Sequence, residues 1–113
     1  MKNFLSSLLI LLISSSSVWA CVPDEVKIDE KTYKVCKSGK YSLLSEGCKD
    51  VQSCFPVKGI KITLLPTQNP AFTLCEKIAG RGVSGDVKSS KTIETFCLLN
   101  EKIVDMNQLF NAR

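Results

Sequence analysis

Six cysteines, Cys21, Cys36, Cys48, Cys54, Cys75 and Cys97, are the residues best suited to chemistry in this 113-residue chain. Cysteine can hold zinc, carry redox chemistry or close disulfides, and spacing separates these uses. Zinc sites favour close C-x2-4-C pairs, commonly with histidine. The tightest pair here is Cys48 and Cys54, and the chain has no histidine. A thiol redox site would use C-x-x-C, which does not occur. Disulfide bridging is the reading that remains, with the connectivity left open by sequence.

The lack of histidine also removes the usual general base, every Ser-His-Asp or Cys-His arrangement and most catalytic zinc sites. A carboxylate-pair hydrolase needs two acids across a cleft, which so small a chain is poorly able to enclose. Serine and lysine are plentiful enough for a serine–lysine arrangement, but no motif singles one out. Gly80-Arg81-Gly82-Val83-Ser84-Gly85 satisfies G-x-G-x-x-G. It follows a helical pattern and precedes a strand pattern, the reverse of the dinucleotide fingerprint, and reads as a flexible connector. The expectation is a protein that is not an enzyme and carries no cofactor or metal.

The first cysteine stands where an export signal would be cut. Lys2 supplies a charged start, residues 5–13 are mostly Leu and Ile, and a serine run leads to Val18-Trp19-Ala20. This is the pattern of a signal peptide over residues 1–20, cleaved after Ala20. Its apolar run is far below the ~20 residues that span a bilayer as a helix. Cleavage there makes Cys21 the first mature residue, and Val18-Trp19-Ala20-Cys21 partly resembles a bacterial lipobox. The bulky Trp19, the intervening serines and the even cysteine count argue for a bridge at Cys21 rather than a lipid. Attachment to a membrane is expected only in the lipidated case.

Charge adds little. Fifteen Lys and Arg stand against eleven Asp and Glu, for a formal net charge of +4. They are interspersed, as between Asp24 and Lys37, which is the pattern of a solvated surface. Clustered basic residues with stacking aromatics are missing, so nucleic acid is not an expected partner.

The elements that must position the cysteines follow from periodicity and punctuation. Residues 22–30, acidic and with Pro23, read as an extended lead-in. Strands are predicted at 32–36 and, after the Ser38-Gly39 turn, at 41–44. Residues 46–56, with Gly47, Cys48, Cys54 and Pro56, suggest a disulfide-pinned loop. Residues 57–65 show the clearest alternation, Ile60, Ile62 and Leu64 against Lys61 and Thr63, and Pro66 ends that strand. Asn69 suits an N-cap, Pro70 the first helical position and Gly80 a left-handed residue past the end. Ala71, Leu74, Cys75 and Ile78 fall on one face of the helix so bounded, about 70–79. A strand over 91–99, a tight turn at Asn100-Glu101 and a return strand over 102–104 follow. Asp105 can then cap a last helical turn carrying Met106, Leu109 and Phe110. The predicted fold is α+β: a small disulfide-stapled domain with short antiparallel strands and one short helix. Residues 21–66 form its β-rich segment, and 67–113 its helix and hairpin.

From Asn69 onward the chain resembles the small bacterial envelope domain known as DUF333, whose members are often labelled hemolysins. The resemblance rests on Asn69-Pro70-Ala71, Cys75, Ala79-Gly80 where the family tends to have Gly-Gly, Phe96-Cys97-Leu98, Asp105 and Leu109-Phe110. The further cysteine pair and tryptophan that the family often carries at its end do not occur here. The resemblance implies a helix tied to a hairpin by a Cys75–Cys97 bond. The other four cysteines then pair among themselves, Cys36 with Cys54 and Cys21 with Cys48 being one arrangement. It brings no catalytic residues. The functional expectation is an exported periplasmic or secreted binding module for an envelope or extracellular protein partner, with residues 46–56 and 80–90 as candidate contact loops. An inhibitor of a protease or lysozyme is one form of it, and a lipoprotein attached at Cys21 is the alternative. A membrane-active toxin would want a strongly basic amphipathic helix, and no segment supplies one.

Overall fold

The computed structural model describes residues 21–38, 42–63 and 69–113. The expected signal peptide and its cleavage position at Ala20 lie outside these residues. So do Gly39, Tyr41, Leu64 and Leu65 of the expected turn and strands.

Six strands form: β1 (Val22–Ile28), β2 (Lys31–Lys37), β3 (Leu43–Ser45), β4 (Arg81–Val87), β5 (Thr92–Leu99) and β6 (Lys102–Asp105). Three short helices accompany them: α1 (Val51–Cys54), α2 (Pro70–Lys77) and α3 (Met106–Asn111). The strands close into an antiparallel barrel in the order β1-β2-β3-β6-β5-β4. This corrects the expected α+β fold with one helix. Strands on both sides of residue 66 interleave in the one barrel, with β1 pairing β4 and β3 pairing β6.

Two apolar layers result, one on each side of part of the barrel wall. Val26, Val35, Leu43, Val87, Phe96 and Ile103 fill the interior. Leu44, Cys97 and Val104 point outward and are covered by Phe55, Val57, Leu74 and Leu109. The sequence carries both demands. Phe96-Cys97-Leu98-Leu99 and Ile103-Val104 are unbroken apolar runs because successive residues face different apolar layers. β1, β2 and β4 have water on much of their outer face, where Lys27, Lys34 and Asp86 are exposed.

Several expectations fail for physical reasons. Residues 22–28 are a strand rather than a lead-in, since Asp24, Val26 and Ile28 alternate inward. The supposed glycine connector is β4. A Cβ on Gly82 would collide with the Phe72 ring of α2, and one on Gly85 would lie 2.5 Å from Val26 Cγ1 inside the barrel. Glycine there serves close packing, not flexibility. Residues 57–63 form no strand, although Ile60 and Ile62 pack against the outer apolar layer. Alternation reports a half-buried extended chain, and without a neighbouring strand it makes no ladder. At α2, Asn69 Oδ1 accepts from the Ala71 and Phe72 amides as an N-cap should. The left-handed residue at the other end is Ala79, not Gly80.

The strand registers contain a two-fold relation. Cys36 lies opposite Pro23 on β1 and Leu44 on β3, while Cys97 lies opposite Gly82 on β4 and Val104 on β6. Superposing Cys36 on Cys97 therefore makes Lys27 equivalent to Asp86 and Leu44 equivalent to Val104. Those residues are themselves paired across the two seams of the barrel, Lys27 with Asp86 and Leu44 with Val104. Each three-strand meander thus maps onto the other about an axis through both seams. Each also ends in a helix capped by an aspartate, Asp50 for α1 and Asp105 for α3.

Candidate functional site

The cysteines pair as Cys21–Cys36, Cys48–Cys54 and Cys75–Cys97, and none is free. The arrangement of Cys36 with Cys54 and Cys21 with Cys48 is therefore corrected. β1 and β2 are adjacent, which brings Cys21 beside Cys36, and Cys48 and Cys54 close on each other around α1. Cys75, the residue that the resemblance tied to Cys97, reaches it from α2 across the outer face of β5. Three disulfides place the protein in an oxidising, non-cytoplasmic environment. Among the described residues no helix is long and apolar enough to cross a membrane.

An open groove of about 730 Å³ lies between the first meander and α3. Its floor is the Cys21–Cys36 bridge with Leu44, one wall is residues 48–52, and the other is Gln108, Asn111 and Ala112. The first wall is held rigid for its length. Asp50 Oδ1 accepts from the Ser53 amide at 2.9 Å, and Ser53 Oγ accepts in return from the Asp50 amide. The Cys48–Cys54 bridge brackets the same turn. Gln52 fastens it to both neighbours, donating from Nε2 to Ala112 O at 2.5 Å and accepting at Oε1 from the Lys58 amide.

The far wall belongs to α3. Asp105 caps this helix, accepting from the Asn107 and Gln108 amides. Gln108 Oε1 is buried and has no hydrogen-bond partner among the described residues. Such an acceptor costs about 1–3 kcal/mol while unpaired. The groove therefore offers a mainly apolar floor and fixed walls.

Two other polar clusters have structural work. The Asp24 carboxylate accepts from Ser89 Oγ at 2.5 Å and from the Ser89 and Glu25 amides. Burial pushes its pKa up, but these hydrogen bonds and the nearby Lys37 charge outweigh burial and hold it below the ordinary value. Lys88 pairs with Glu25 at 3.6 Å. The adjacent Lys88 and Ser89 are thus both engaged in fastening the β4–β5 turn to β1. At the other cluster, burial pushes the Asp105 carboxyl up, the two capping amides pull it down, and the neighbouring Glu94 adds to the rise. The balance leaves Asp105 above the usual carboxylate value. Among the described residues no group of three or more His, Cys, Asp or Glu could hold a metal.

Of the two expected contact loops, residues 46–56 supply the groove's first wall. Residues 80–90 do not line it, and most of them are β4. The α3 contribution, Gln108, Asn111 and Ala112, was missed. Its signal was present in the polar residues on either side of Leu109-Phe110, Asn107 and Gln108 before and Asn111 after, which mark a second helix face. No family model, curated protein or solved structure matches the chain.

Proposed function

We propose that the protein is exported to the periplasm or secreted, and acts there as a small disulfide-braced binding module whose contact surface is this groove. The Cys21–Cys36 bridge carries the reading. It spends the Cys21 sulfur that a lipid anchor would need, favouring a released protein over a lipoprotein, and it forms the groove floor. A floor and wall fixed by disulfides lose little entropy on binding, which suits recognition. The export pattern of residues 1–20 and the DUF333 resemblance of residues 69–113 point the same way, and membership of that family belongs to the proposal. The partner is an envelope or extracellular protein.

Photo-crosslinking in the native envelope tests this. A crosslinking residue replaces Asn111 at the groove, and in a second protein replaces Lys27 on the opposite barrel face. A specific adduct from position 111 alone is expected. The intact mass of the same sample should begin at Cys21, lack lipid and show six hydrogens lost to three bridges. Equal adducts from both faces, none from either, or lipid on Cys21 would overturn the reading.

A further inference from the structure

The groove has a counterpart within the same molecule. In the second meander, α2 packs on β4, β5 and α3, with Leu74 and Cys75 buried against Cys97, Val104, Met106 and Leu109. The two-fold carries Cys97 onto Cys36 and Val104 onto Leu44. Cys36, Leu44 and the α1 turn are among the residues that line the groove. The groove is the surface on which, after rotation by the two-fold, α2 would sit. One half of the barrel wall is covered by a helix, and among the described residues no helix covers the Cys21–Cys36 bridge on the other.

We infer that the groove accepts a short amphipathic helix of a partner protein, in the orientation that α2 takes on the second half. This deepens the proposed binding role and rests on it. Two properties of the occupant follow. It presents small and aliphatic residues at i, i+3 and i+4, as Ala71, Leu74 and Cys75 do on α2. It lies against the Cys21–Cys36 bridge as α2 lies against Cys97.

The test titrates 15N-labelled protein of residues 21–113 with a panel of stapled twelve-residue helices. Each carries Ala, Leu or Met on one face. Controls are the same compositions scrambled around the helix, and proline-containing versions that stay extended. Facial helices should shift the amides of Leu44, residues 49–52 and Asn111, and the controls should not. Asn111→Trp, filling the groove from an exposed position, should weaken binding by about tenfold or more at unchanged thermal stability. Ser38→Trp serves if that variant folds poorly.

Extended peptides binding as well as helical ones would overturn the helix and leave the groove as a binding site. A dimer of residues 21–113 that Asn111→Trp abolishes would assign the groove to a second copy and overturn it too. No shift with any peptide, beside a specific adduct from position 111, sinks the helix alone. No shift and no adduct sinks the binding role with it.

Discussion

At the end of α2 the left-handed position falls on Ala79, with φ of 70°, and glycine stands one place later. The hydrogen bonds are those of a Schellman motif: the Gly80 amide donates to Cys75 O at 2.8 Å and the Ala79 amide to Glu76 O at 2.9 Å. A left-handed alanine costs roughly 1 kcal/mol relative to glycine. Gly80 answers a different demand, since a Cβ there would lie 2.7 Å from Cys97 Sγ and 3.0 Å from Cys75 Sγ. Ala79→Gly should therefore stabilise the protein by about 1 kcal/mol. Gly80→Ala should destabilise it by about 1–3 kcal/mol by crowding the bridge. Urea denaturation of the two variants checks both signs, and the opposite order would refute this assignment of roles. The sequence places a helix end here correctly but exchanges the two residues. Helix-end rules are local, whereas the crowding at Gly80 comes from Cys97, 17 residues further along the chain.

α3 and its cap show what a local signal can carry. Asp105 was legible as a cap because capping involves only the next few residues, but the burial of its charge beside Glu94 depends on the β5–β6 register. The folded protein holds the Asp105 proton more tightly than the unfolded chain. Its contribution to stability is thus present below the ordinary value of 3.8 and is lost as pH rises through the raised folded value. Asp24, held below its ordinary value, acts oppositely, and its contribution is lost as pH falls below 3.8. Asp105→Asn keeps an acceptor for the Asn107 and Gln108 amides and removes the charge. Its stability relative to the natural protein should rise between about pH 4 and pH 7, and Asp24, present in both proteins, cancels from the difference. Asp105→Ala removes the same charge and the cap as well, and should be less stable than Asp105→Asn by about 1 kcal/mol. Urea denaturation across that window decides it, and a flat difference for Asp105→Asn would remove the buried-charge account. Strands were less legible than this cap. The hairpin turn at Asn100-Glu101 is where it was expected, with both φ positive. β4 was missed because its glycines make room for Phe72, Val26 and Phe96, none of them a sequence neighbour.

Barrel closure was the feature farthest from reach, because it depends on β1 meeting β4 and β3 meeting β6 across the whole chain. No disulfide joins the two halves: Cys21–Cys36 and Cys48–Cys54 lie in the first and Cys75–Cys97 in the second. The halves are held together by the two seams and the apolar layers they share. A chain cut between residues 66 and 67 should therefore remain one folded particle. Oxidised fragments 21–66 and 67–113 should also recombine when mixed, while each alone lacks two neighbours for its outer strands. Because the axis relates equivalent strands, each fragment could instead pair with itself, and the residues at the axis decide between these outcomes. The mixed particle sets Lys27 opposite Asp86. Self-pairing would set Lys27 against Lys27, or Asp86 against Asp86, and like charges directly opposite destabilise a strand pair. Native mass spectrometry of the mixture should show the one-to-one complex in excess over either homodimer. Asp86→Lys in the second fragment should reduce that excess, since it places lysine against Lys27, and adding Lys27→Asp to the first should restore it. A mixture that stays as separate monomers, or an excess that neither substitution changes, would show that the seams do not bind the halves in this way.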